Sequence, residues 1–91
     1  MTSLRRYEIF LPLRFNDGQL VPEESGAEVF LDLRNHFGAA SCEFRDDLTR
    51  MFVDVPDTAE NREFFAQYKE RLKERFKQVE IWITTYPIET V

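Results

Sequence analysis

The 91-residue chain has one cysteine, one histidine, one tryptophan, two methionines and three glycines. A single thiol cannot close an internal disulfide, so nothing points to an oxidising compartment. The three glycines, Gly18, Gly26 and Gly38, sit at unrelated turn or helix positions, which excludes a glycine-rich phosphate loop. No apolar run approaches the roughly 18 residues of a membrane span. Met1 to Arg6 is polar and basic, and the apolar run after it is broken by Glu8, Pro12 and Arg14, so there is no signal-peptide pattern. Basic residues are also scarce, 12 against 17 acidic ones, and the net charge of -5 repels phosphate backbones and anionic membrane surfaces. The expectation is a cytoplasmic protein that engages neither nucleic acid nor membrane. Nothing in the sequence calls for a cofactor.

Aromatic residues are the abundant class, with nine Phe, three Tyr and one Trp. A chain of this length buries only about two-thirds of the surface that its unfolded form exposes, so a stable core needs large side chains. Residues 1–91 are expected to form one α+β domain.

The stretch "RRYEIFLPLRF" alternates, with Tyr7, Ile9, Leu11, Leu13 and Phe15 on one face and Glu8, Phe10, Pro12 and Arg14 on the other, which predicts a strand. "NDGQ" reads as a turn. "VPEESGAEVFLDLRNHF" reads as a helix with Pro22 at its first turn, Glu23 and Glu24 at its positive end, and Gly38 placed to stop it. "AASCEF" and "TRMFVDV" form a predicted hairpin around "RDDL". "DTAENREFFAQYKERLKERF" is a helix in which Asp57 and Glu60 resemble a capping box, and Phe64, Tyr68, Leu72 and Phe76 recur every fourth residue. "VEIWITTYPIE", rich in β-branched and aromatic residues, is a closing strand.

Strand, helix, strand, strand, helix, strand resembles the ferredoxin-like split βαβ superfold. That resemblance implies a four-stranded antiparallel sheet, order 4-1-3-2, with both helices on one face. "YEIFLPLRFNDG" together with "KERLKERFKQVEIWITTYPIE" also looks like small bacterial proteins, a likeness that carries no activity with it. Pro12 sits awkwardly in a first strand that this fold makes central, and Pro87 raises the same issue in the last; either the ladder ends near them or they mark bulges.

Candidate chemistry is thin. Asp32 and His36 share a helix face at the spacing of a two-ligand metal start, but completing the set would need Cys42 with Asp46 or Asp47. The better expectation is that Asp32 supports a helix C-terminal histidine, and that no metal binds. Glu43, Asp46 and Asp47 disfavour a Cys42 thiolate, so Cys42 is expected to be a small buried strand residue, and no catalytic residue is assigned. The charged run from Lys69 to Lys77 reads as the solvated side of a helix, with pairs such as Glu70 and Lys73.

One constellation stands out. If the apolar face of the first strand packs under the helices, then Glu8, Phe10 and Arg14 point to the other side of the sheet. Arg50, Phe52 and Asp54 join them from the third strand, and Trp82, Thr84 and Tyr86 from the last. Phe10, Phe52, Trp82 and Tyr86 then gather on one open face. Such a patch suits homo-oligomerisation, the expected role. The alternative is a small-molecule or enzymatic pocket on that face with Glu8, Asp54 or Arg14 as its polar groups. Stacking of single-stranded RNA is disfavoured by Glu8, Asp54 and the acidic charge.

Overall fold

The computed structural model describes residues 3–45 and 47–91. The elements follow the order β1 (Leu4–Pro12), α1 (Glu23–Phe37), β2 (Ser41–Phe44), β3 (Leu48–Pro56), α2 (Ala59–Arg75) and β4 (Trp82–Ile88). The strands form one antiparallel sheet in the order β2-β3-β1-β4, with both helices on one side, the ferredoxin-like arrangement.

The alternation in β1 and β3 decides which side is the core. Tyr7, Ile9 and Leu11 of β1 and Met51, Val53 and Val55 of β3 are buried beneath the helices. α1 adds Val29 and Leu33, and α2 adds Phe65, Tyr68 and Leu72, with Phe76 just beyond its end. The Tyr7 and Phe65 rings stack at 4.0 Å, and Phe37 and Phe64 extend that aromatic cluster between the helices. Aromatic density thus supplies the burial that a short chain needs.

Helix ends follow local chemistry. Pro22 precedes the first turn of α1, and Gly38, left-handed at φ 89°, closes it by donating its N–H to the Arg34 carbonyl at 2.7 Å. The α2 cap differs from expectation. Thr58 is the cap and accepts from the Asn61 N–H at 3.1 Å, whereas Asp57 is drawn away to Arg5 and Arg62. The run from Lys69 to Lys77 is laced with ion pairs, Lys73 to Glu70 and Lys69 to Glu80 both at 3.0 Å, as a solvated helix side should be.

Pro12 closes the β1–β3 ladder, whereas Pro87 sits within the β1–β4 ladder, opposite Arg5, with Leu4 and Ile88 paired beyond it. β1 stops at Pro12, and its pairing with β4 has already stopped at Phe10. Pro87 lies in β4, an edge strand, where a missing N–H can face solvent. No described helix is long and apolar enough to cross a membrane.

Gly26, one turn into α1, is not required by the backbone. Its φ is not positive, and a Cβ placed there would meet only Met51 Cε, at an ordinary 3.9 Å. Gly26→Ala should therefore stabilise the protein by about 0.5–1 kcal/mol, raising the thermal midpoint by a few degrees. A lowered midpoint in a thermal melt would show a conformational need for glycine that the backbone does not reveal.

Candidate functional site

Among the described residues no element covers the sheet side away from the helices, and antiparallel register decides which residues share it. Glu8 lies opposite Phe52 and Thr84, Phe10 opposite Arg50 and Trp82, and Arg6 opposite Asp54 and Tyr86. Ser41 and Glu43 continue the surface along β2, opposite Phe52 and Arg50. Of the predicted residues, Glu8, Phe10, Phe52, Asp54, Trp82 and Tyr86 thus come together. Arg14 does not. It lies beyond the end of β1, pairs in an isolated bridge with Leu20, and its guanidinium donates to the Gly18 carbonyl at 2.8 Å.

The face divides into two halves. Over β1 and β3 lies an ion-pair network. Arg50 pairs with Glu8 and, at 3.2 Å, with Glu43, while the Tyr86 hydroxyl donates to Glu8 Oε1 at 2.6 Å. Arg6 grips Asp54 through two parallel bonds of 2.7 and 3.0 Å. Both guanidinium groups also lie over the Phe52 ring, at 4.6 Å for Arg6 and 4.4 Å for Arg50. Glu8 is only 8% exposed although no helix covers it, because these neighbours close over its carboxylate. The Arg50 hydrogen bond, helped by that from Tyr86, holds the Glu8 carboxyl below the usual carboxylate range, against the opposing effect of desolvation.

The β4 half is different. Trp82 is 70% exposed and Tyr86 41%, with Thr84 exposed between them and Phe10 half-buried beside Trp82. Every carboxylate and guanidinium on the face is engaged by a neighbour, so the arrangement offers shape, apolar area and fixed charge rather than a free base or nucleophile. Sequence reasoning missed Arg6 and Glu43 as members. The even-numbered parity that places Glu8 also places Arg6, but Glu43 depends on the register of a four-residue strand.

The histidine and cysteine lie elsewhere. The His36 ring stacks on Phe64 at 4.2 Å, and Asp32 does not serve it. Instead, Asp32 Oδ2 accepts from the Tyr68 hydroxyl at 2.9 Å and from Arg75 at 3.3 Å, because α2 presents both donors across the helix pair. Burial, and then the Asp32 bond, push the Tyr68 hydroxyl well above its ordinary pKa. Cys42 lies in β2 as expected but is exposed rather than buried, since all four residues of that short edge strand are. Partial desolvation still raises its thiol pKa. Asp46, a candidate ligand in the metal reading, is outside the described residues. Among the described residues no group of three or more His, Cys, Asp or Glu is arranged to hold a metal.

Replacing His36 with Ala should cost no more than about 1 kcal/mol of stacking, and Cys42→Ala about 0.5 kcal/mol. Purified protein should hold no stoichiometric zinc or iron. Metal analysis that found one equivalent, lost in the His36 variant, would contradict this.

No protein-family model, curated protein or solved structure matches the chain. The ferredoxin-like assignment therefore rests on the observed topology, and the likeness to small bacterial proteins gains no support from a relative.

Proposed function

We propose that the chain is an interaction module that binds a second copy of itself through the open sheet face, with Trp82 as its anchor. The observation that carries this reading is an indole left 70% exposed on a sheet surface that no described element covers, beside Tyr86 and Phe10. Tryptophan and tyrosine supply large contact area with few rotors to immobilise, and so dominate the energetics of many interfaces.

The charge pattern favours a like partner over a charged one. Arg6 is matched by Asp54 and Arg50 by Glu8 and Glu43, so among the described residues of this face both guanidinium groups are already engaged, which disfavours a phosphate or an acidic peptide. The uncharged Trp82, Thr84 and Tyr86 edge can meet its own symmetry mate without opposing like charges. A ligand pocket on this face has less support, because Glu8 and Asp54 are already bound by neighbours and Arg14 is tied to the Gly18 carbonyl beyond the end of β1.

Isotope-filtered NMR on a mixture of labelled and unlabelled protein tests the reading. Intermolecular contacts should appear at the Trp82 indole and the Tyr86 ring. Contacts confined to the helices, or none at concentrations where the protein is oligomeric, would refute it.

A further inference from the structure

On the other side of the sheet, α1 and the β2 edge line a cavity of about 520 Å³ that is open to solvent along its rim. Leu11 and Met51, with Cys42 and Phe44 of β2, form its sheet side, and Gly26 and Phe30 of α1 form its helix side. Among the described residues Glu23 is the one charged member of the lining, and Thr49 and Cys42 supply its other polar side-chain groups.

We propose that this cavity is a binding site for a small, uncharged, apolar molecule. Its volume falls within the roughly 300–1,000 Å³ typical of small-ligand sites. An apolar wall offers water few hydrogen-bond partners, so water in the cavity is readily displaced by an apolar ligand.

The wall is also small by choice of residue rather than by necessity. Gly26 has an ordinary backbone conformation and room for a side chain, yet carries none. At the rim, Phe44 stands 80% exposed with its ring uncovered by either helix, and Cys42 beside it is exposed too. A larger residue at position 26 would fill the space and favour the helix, so the sequence leaves open a volume that the fold would close more stably. The Glu23 carboxylate at the cavity disfavours anions, which selects against fatty-acid or phosphate headgroups and for a neutral ligand.

This site lies on the opposite side of the sheet from Trp82 and stands or falls independently of self-association. The test uses the uncharged dye Nile red and the full chain. The dye should bind saturably, one molecule per chain, and Gly26→Leu should weaken it by about tenfold or more by occupying the same space. In the unmodified chain, saturating dye should slow alkylation of Cys42 by iodoacetamide by roughly fivefold or more, a readout that needs no variant to fold. Trp82→Ala should leave dye affinity unchanged. The proposal is overturned if the dye fails to bind saturably, if it leaves Cys42 unprotected, if its affinity survives in folded Gly26→Leu, or if it is lost in Trp82→Ala.

Discussion

Trp82→Ala should give a folded protein that no longer self-associates at concentrations where the parent chain does. The indole is 70% exposed in the single chain, so truncating it removes little intrachain burial. Burial makes the contrast: removing a core aromatic costs about 3–5 kcal/mol, a large share of the roughly 5–15 kcal/mol that keeps a small domain folded. An aromatic anchor at an interface contributes about 2 kcal/mol or more, which weakens dimerisation by at least about 30-fold. Sedimentation should show the shift toward monomer, and a melt at low concentration should show a midpoint within a few degrees of the parent. An unfolded variant would mean that Trp82 holds the core together, and an unchanged association constant would mean that the contact lies elsewhere.

Glu8→Gln should be the most damaging single change on the same face. Glu8 is almost completely enclosed by Arg50 and Tyr86, and the glutamine amide cannot balance the Arg50 charge. Removing one partner of an enclosed ion pair costs about 3–5 kcal/mol, and the remaining Glu43 contact at 3.2 Å places the expected loss near the lower end. For a chain of this size that lowers the thermal midpoint by roughly 12–20 °C. The acid dependence follows from the depressed carboxyl. Its stabilisation is fully present above the ordinary carboxylate value near 4.5 and is lost as pH falls from there through the lower folded-state value. The parent chain should therefore lose stability more steeply than Glu8→Gln on acidification below about pH 4.5. Parallel curves, or a variant as stable as the parent at neutral pH, would contradict the role given to this network.

Much of the fold was legible because two periodicities dominate. The alternation of Tyr7, Ile9 and Leu11, and of Met51, Val53 and Val55, identifies the buried side of two strands without reference to any partner. The same parity placed Trp82 and Tyr86 outward. Parity carries no further than the strand: Pro12 ends β1, and Arg14 follows it into a turn through Gly18, where a local carbonyl rather than the sheet holds its guanidinium. The Asp57 cap was a competition between two adjacent oxygens that Thr58 wins once Arg5 and Arg62 claim the carboxylate. Exposure of Cys42 depends on how far the helices reach across the sheet, and the cavity depends on where α1 rests over β2. Neither distance is written in a local pattern. Gly26 was the available signal for the cavity, a glycine inside a helical stretch with no turn to explain it.

Trp82 is the sole tryptophan, so its fluorescence reports this face alone. Emission should be recorded across a dilution series of the parent chain, with sedimentation equilibrium on the same samples. Burial of the indole against a second copy requires blue-shifted emission at high concentration that moves to the red in step with dissociation to monomer. Added salt should shift the transition to lower concentration by screening repulsion between chains of net charge -5. Red-shifted emission that stays constant while the mass changes, or a monomer throughout, would show that the open sheet face is not where this protein meets its own kind.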